Sequence, residues 1–447
     1  MNFRHGCLVL AAAALFAAGC GDDDGGDDEA TTDAESGTTS VAGPTVDTDT
    51  CGGLEYGGER EPQVLIVSDL PMQGDAATRS EQQVEAIRIE LEDRDWKAGD
   101  LTVGYQACDD TIAKTGLWDE ETCESNANAY VEQKAVLGVI GTYNSGCAAI
   151  EIPILNEGDV AMVSPGNTAV CLTEETPNCE DYDPSSLYPS GDRNYARVVP
   201  NDAFQGAALA QFASDEGAKS AFVLYAADDS TSTGQADNFR GAAEELGLEV
   251  AGFETWDPKA KDYEDLMNDV ESSGADAVIL AGLTDQNGGT LIEDKVEYVG
   301  PNDEVPLIAF DGFTSQATID EAGDASKGMF ASITGRAPEA LSGAGQDLVA
   351  ELEEKSGGDP VEQYAPYAAE AAVVLLDAIA EAGDDRAGVA DAVLETKRDD
   401  SGLLGAYEFT ETGDPSEGPV TIFEADGSFE VFDEVTPDTA AVTAARG

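Results

Sequence analysis

From about residue 60 onward, short continuous apolar runs alternate with stretches of helical periodicity. This alternation restricts the fold more than any other feature of the chain. Val64-Leu65-Ile66-Val67-Ser68 reads as a buried strand, and after a Pro71/Gly74 break Val84, Ile87 and Leu91 recur at helical spacing. Leu101–Tyr105, Val136–Ile140 and Val160–Ser164 are further strands. A helix starting near Phe204 leads to the strand Ser220–Tyr225, then a helix around Gly234–Leu246, the strand Leu248–Phe253 and a helix around Tyr263–Ser272. The strands Ala277–Ala281 and Val305–Phe310 flank a helical stretch at Leu291–Val299. Strands that are apolar throughout, alternating with amphipathic helices, require parallel sheets covered on both faces. About ten such strands exceed one doubly wound sheet of ordinary size, so two Rossmann-like lobes of α/β class are expected. A length of 447 residues agrees with two or three domains.

The head of the chain is different. Arg4 and His5 precede an apolar run, Cys7 to Ala18, too short to span a bilayer and suited to a signal peptide. Its ending, Leu15-Phe16-Ala17-Ala18-Gly19-Cys20, has the form of a lipobox. Residues 1–19 are expected to be removed and Cys20 to carry lipid. Residues 20–61 are Asp, Gly, Thr and Ser with few large apolar side chains, and twelve acids lie between Gly21 and Arg60. Such a segment is expected to be a solvated tether, since it buries too little surface to offset its ordering entropy.

Charge and residue usage exclude several functions. With 91 Asp+Glu against 22 Lys+Arg, the net charge of -69 opposes nucleic acid, polyphosphate and anionic membrane surfaces. The single histidine, His5, lies in the signal segment, which removes Ser-His-Asp catalysis and His-ligated zinc from the mature chain. There is no GxGxxG or GxxxxGK[ST] after a strand, and no carboxylate pair is singled out by spacing. No cofactor, metal or enzymatic activity is expected. Six cysteines remain beyond Cys7 and Cys20, an even number that reads as three disulfides in an exported chain. Proximity suggests Cys171–Cys179 and Cys108–Cys123, with Cys51–Cys147 by exclusion, although fifteen connectivities are formally open.

Two strand ends stand out as candidate ligand sites. Val136 to Cys147 runs through Gly141-Thr142-Tyr143-Asn144 into a helical stretch at Ala148–Leu155, with Ser145 placed as N-cap. Ala161-Met162-Val163-Ser164-Pro165-Gly166-Asn167-Thr168 is a second strand ending in a small-residue turn with hydroxyls. The carboxyl ends of parallel strands are where open α/β sheets bind ligands, and a helix start offers free N–H groups to an anion.

These segments also carry a resemblance. Val67-Ser68-Asp69-Leu70 with Pro71 and Gly74, Val139-Ile140-Gly141, Met162–Thr168, Arg197-Val198-Val199-Pro200-Asn201-Asp202 with Gln205-Gly206, Phe310-Asp311-Gly312, and Tyr367-Ala368-Ala369-Glu370 followed by Gly402–Phe409 occur in order over residues 63–432. The chain thereby resembles the leucine/isoleucine/valine-binding proteins, the type I periplasmic-binding-protein family that serves ABC importers. The resemblance implies two lobes joined by a three-strand hinge. Lobe 1 would comprise residues 62–199 with 334–418, lobe 2 residues 200–333 with 419–434, and residues 435–447 a C-terminal tail. It implies that Ser145, Gly166 and Thr168 grip a ligand carboxylate while Asp311 meets its ammonium, a set that suits an amino-acid zwitterion. The apparent equivalents of the family's aromatic ligand contacts are Gln73, Thr231 and Thr284, leaving Tyr143 and Phe313 as aromatic candidates. A polar amino acid or an amide thus fits as well as leucine. The implied protein is a monomeric, lipid-anchored receptor on the extracytoplasmic membrane face that hands its ligand to permease and ATPase subunits, or a surface sensor of the same fold with no transport role.

Overall fold

The computed structural model describes residues 43–447 except 59, 177–178 and 180–183. The expected signal peptide and Cys20 lie outside the described residues.

The first sheet has six strands in the order β2-β3-β1-β4-β5-β6. They are β1 (Val64–Leu70), β2 (Lys97–Ala98), β3 (Leu101–Asp109), β4 (Val136–Gly141), β5 (Ala161–Ser164) and β6 (Tyr195–Arg197). All neighbours are parallel except the β2–β3 pair. Every residue of β1 is buried. Val64 and Ile66 join the core on one face and Leu65 and Val67 the core on the other, as the two-residue period of a strand covered on both sides demands. Among the helices of this lobe are α1 (Ala77–Asp93), α2 (Glu120–Glu132), α3 (Ser145–Glu157) and the short α4 (Pro184–Leu187).

The second sheet is built from β7 (Ser220–Ala226), β8 (Glu249–Trp256), β9 (Ala277–Ala281), β10 (Leu307–Ala309) and β11 (Phe330–Thr334), which are parallel. Its helices are α5 (Asp202–Asp215), α6 (Ser230–Leu246), α7 (Glu264–Ser273), α8 (Gly288–Tyr298) and α9 (Gln316–Ala322). The chain then returns to the first sheet as α10 (Ala344–Lys355), α11 (Ala365–Ala382) and α12 (Arg386–Leu394), with the small pair β12 (Lys397–Arg398) and β13 (Tyr407–Glu408). It crosses once more to add β14 (Val420–Ala425) and β15 (Phe429–Val435) antiparallel at the edge of the second sheet. Two sheets in one chain, crossed after β6, after β11 and before β14, form the expected two-lobed α/β architecture. Helix α11 lies on the first sheet so closely that a Cβ on Gly138 would come within 2.6 Å of Leu375 Cδ2.

Three expectations need correction. The last part of the expected tether is docked, not solvated. Val46 is 4 % exposed, its N–H donates to Gln106 Oε1 (2.7 Å), and Glu55 pairs with Tyr105 across the edge of β3. The isolated apolar residue and the cysteine of this stretch find partners on a sheet edge that local composition does not reveal. Two of the three disulfides differ as well. Cys171–Cys179 forms as expected, whereas the others are Cys51–Cys108 and Cys123–Cys147. Cys51 lies in an antiparallel bridge opposite Cys108, while Cys123 and Cys147 sit in the first turns of the adjacent helices α2 and α3. Cross-strand and helix–helix contact therefore overrides proximity in sequence. Finally, the expected tail continues β15 into α13 (Thr439–Ala445), whose Ala441, Val442 and Ala445 pack into the core beside α5 and α6.

Candidate functional site

The site lies where the carboxyl ends of the two sheets face each other. On the first lobe, β4 and β5 end in turns that are bonded together. Ser164 Oγ donates to Thr142 O (2.8 Å) and accepts from the N–H groups of Gly166 (3.2 Å) and Asn167 (2.8 Å), and Asn167 Nδ2 donates to Tyr143 O (2.9 Å). The N–H of Gly166, expected to bind ligand, is thus taken by Ser164. A Cβ on Gly166 would come 2.9 Å from the Tyr143 ring, so the residue acts as close packing beneath that ring. Asn144 is the N-cap of α3, and Ser145 is its first helical residue, not the cap expected. Ser145 Oγ accepts from Ala169 N (3.3 Å), which brings the start of α3 against the Thr168 turn. Ser145 and Thr168 are both buried.

Arg197 holds this turn from behind. Its guanidinium donates to Asn167 O (3.0 Å), Ala169 O (2.9 Å) and Thr173 Oγ1 (2.6 Å) and pairs with Asp414 on the third crossing segment.

On the second lobe, Asp311 follows β10 in a tight turn and is 8 % exposed. Gln205 from α5 fits best with its amide nitrogen donating to Asp311 Oδ1 (3.2 Å) and its oxygen accepting from Asp311 N (3.1 Å) and Ser332 Oγ (2.9 Å). Gln235 Nε2 from α6 donates to Asp311 Oδ1 (3.1 Å), and the Tyr364 hydroxyl lies 3.4 Å from Oδ2. Asp202, the first residue of α5 after the N-cap Asn201, meets both lobes. Its N–H donates to Thr168 O (2.7 Å), and Gln235 Nε2 reaches its Oδ1 at 3.3 Å. Burial lifts the Asp202 carboxyl to about 7, helped by the negative charge of Asp311, and burial lifts Asp311 to about 6.

The walls of the cleft include Tyr143, Arg79, Leu117, Trp118, Leu283 and Thr284. Arg79 stacks with its guanidinium carbon 4.3 Å from the Tyr143 ring centroid and donates to the Tyr143 hydroxyl. Trp118 comes from the loop between β3 and α2, and its ring covers Gly146, where a Cβ would lie 2.6 Å from Cζ2. Of the expected body contacts, Tyr143 and Thr284 line the cleft. Gln73 turns its amide to Asp109 Oδ2 (2.7 Å), and Thr231 lies in the first turn of α6 with its N–H held by Asp229. Phe313 is buried in the core of the second lobe against Trp256, so it is not the aromatic wall expected. Trp118, Arg79, Asp202 and Gln235 were missed as site residues. Only Asp202 had a sequence signal, its place in the Val199-Pro200-Asn201-Asp202 turn before α5.

Cys123, Cys147 and Glu151 lie within ligating distance of one another, but the two sulfurs are bonded together and have no thiolate to offer a metal. Among the described residues, no helix is long and apolar enough to cross a membrane.

Hydroxyls and a helix start on one lobe, acids on the other and a cleft between them define a bilobed ligand-binding protein. The chain belongs to the periplasmic binding protein family, whose profile matches residues 70–429, and so to a class of binding proteins, not enzymes. It is 26 % identical over 395 residues to Leu/Ile/Val-binding protein homolog 2 of Brucella abortus (strain 2308), an alignment covering 86 % of this chain and 96 % of that protein. The crystal structure of the leucine-binding protein LivK from Thermotoga maritima superposes with a TM-score of 0.71 at 25 % identity, covering 84 % of this chain and 99 % of that one. A solute-binding protein of an ABC transporter from Rhodopseudomonas palustris, in complex with 4-hydroxybenzoate, superposes with a TM-score of 0.69 at 16 % identity over 84 % of this chain and 97 % of that one.

Proposed function

We propose that the protein is a lipid-anchored, extracytoplasmic substrate-binding protein of an ABC importer that closes its two lobes on an amino acid, branched-chain or small and polar, or a related amide. What supports this reading is that Ser145 at the start of α3 and Thr168 in the turn after β5 are linked, through Asp202 and Gln235, to Asp311 on the second lobe. Neutral donors at a helix start suit a carboxylate, and a carboxylate opposite suits an ammonium. The names of the Brucella and Thermotoga relatives support the same ligand class. Trp118, Tyr143 and Leu283 supply apolar wall that Gln73, Thr231 and Thr284 do not. In this reading residues 62–199 with 334–418 form the first lobe and residues 200–333 with 419–434 the second. Binding draws the lobes together because ligand contacts from both sides stabilise the closed state. The form of residues 15–20 supports lipid attachment at Cys20. Thermal shift across the twenty L-amino acids and their amides tests the ligand class. Stabilisation by at least one compound, lost in Ser145→Ala/Thr168→Val, is the expected result, and the absence of any stabilisation would overturn the reading.

A further inference from the structure

The ammonium side of the cleft contains more acceptors than Asp311 alone. Asp202 is 2 % exposed and Gln235 4 % exposed, and among the described residues no lysine or arginine forms an ion pair with the Asp202 carboxylate. Gln235 Nε2 sits between the two carboxylates, 3.3 Å from Asp202 Oδ1 and 3.1 Å from Asp311 Oδ1. A nitrogen donor shared by two buried carboxylates marks the place a cationic nitrogen would take. The other end of the same amide, Gln235 Oε1, is buried with no hydrogen-bond partner among the described residues. A buried acceptor without a donor is costly and calls for an occupant. Two buried acids that Arg197 and Arg79 influence only through space, with no ion pair to either carboxylate among the described residues, are costlier still.

We propose that Asp202, Asp311 and Gln235 together form a three-acceptor cradle for a primary ammonium group. This deepens the proposed function and rests on its reading of the cleft as an amino-acid site. A primary ammonium has three N–H donors. Asp311 and Asp202 each accept one, and Gln235, displaced from between them by the ligand nitrogen, turns its amide and presents Oε1 to the third. Thr168 links the two ends of the ligand, because the residue expected at its carboxylate also accepts the Asp202 N–H at its backbone oxygen (2.7 Å). The cradle therefore selects α-amino acids against monocarboxylates that have no ammonium, a distinction Asp311 alone would make less sharply.

The test uses Asp202→Asn and Gln235→Leu in the full-length protein. Titration calorimetry is done with whichever of the twenty L-amino acids gives the largest thermal shift, and with its 2-hydroxy-acid counterpart. The expected result is a loss of amino-acid affinity of roughly 10- to 100-fold in each variant. The preference for amino acid over hydroxy acid should shrink by the same factor. Asp202→Asn should melt no lower than the parent without ligand, since it relieves a buried charge. If the parent binds an amino acid and the variants bind it equally well, or lose amino acid and hydroxy acid in equal proportion, the cradle is wrong and the amino-acid reading stands. If no amino acid shifts the parent, both are overturned.

Discussion

Arg197 Nε lies 2.7 Å from Asp414 Oδ1, and both side chains are sealed from solvent. The pair joins β6, the last strand before the chain leaves the first sheet, to the segment by which it crosses for the third time. Its other donors hold the turn from Asn167 to Thr173, so one guanidinium braces both the crossing and the binding turn. Breaking a buried pair leaves an uncompensated charge, at about 3–5 kcal/mol. Asp414→Ala should lose stability on that scale in urea denaturation and weaken ligand binding. Asp438→Ala, on the exposed lead-in to α13, should do neither.

The two acids of the cleft give ligand binding a pH dependence. The groups facing them are Arg79, Arg197, Thr168, Gln205, Gln235 and Tyr364, with no lysine among them. Without ligand, Asp202 holds its proton up to about 7 and Asp311 up to about 6. An ammonium favours the ionised pair, so its binding must expel whatever proton is present. Amino-acid affinity should fall as pH drops from 7.5 to 5.5, by roughly tenfold per unit once below the upper value. Calorimetry in phosphate and in Tris at pH 6.5 should reveal proton release, most of which Asp202→Asn removes.

A second acid cluster acts on stability. Asp69, lifted to about 6 by burial, accepts from Asn126 and Tyr130. Burial raises Asp110 and Glu151 further, each aided by the charge of Asp69, and neither Asp110 carboxyl oxygen has a hydrogen-bond partner among the described residues. A carboxyl whose folded value is raised contributes stability that is complete below its unfolded value near 4 and is lost as pH rises through the folded value. The melting temperature should therefore rise as pH falls from 7.5 to 5.5. Asp110→Asn should flatten that trend and raise the melting temperature at pH 7.5 by a few degrees.

What the sequence made legible follows physical range. The apolar runs Val64–Ser68, Val136–Ile140 and Ala277–Ala281 are local signals, and each lies in the interior of a parallel sheet. The tight turns after β4, β5 and β10 carry Ser145, Thr168 and Asp311, and parallel topology places such turns on one edge. Contacts between remote segments had no such signature. Cys51 opposite Cys108, Val46 against Gln106, and Gln235 between two acids depend on which elements become neighbours. Trp118 was hidden for a related reason. It sits in a polar loop, and only the fold brings its ring over the start of α3.

Trp118 supplies aromatic surface on the first lobe. Its ring covers Gly146, one residue after Ser145, and it borders the cleft beside Leu117. Trp118→Ala should reduce affinity for branched-chain amino acids more than for glycine or alanine, by about tenfold, because only a large side chain reaches the lost apolar area. Calorimetry across that series measures the difference, and an equal loss for every ligand would indicate a purely structural role.

The corrected disulfides make a graded prediction. Cys51–Cys108 closes a separation of 57 residues and ties down the docked segment around Val46, whereas Cys171–Cys179 closes only 8. In the chain-entropy account the longer loop contributes about 4 kcal/mol and the shorter about 2.5 kcal/mol. Replacing both cysteines by serine in each pair should therefore lower stability more for Cys51/Cys108. In that variant, amides of residues 46–55 should exchange faster with deuterium, because their bonds to the edge of β3 lose the covalent tether. Mass mapping of the non-reduced protein should recover peptides joined through Cys51–Cys108 and Cys123–Cys147. Recovery of Cys108–Cys123 instead would place α2 away from α3 and undo the packing that sets Ser145 at the cleft.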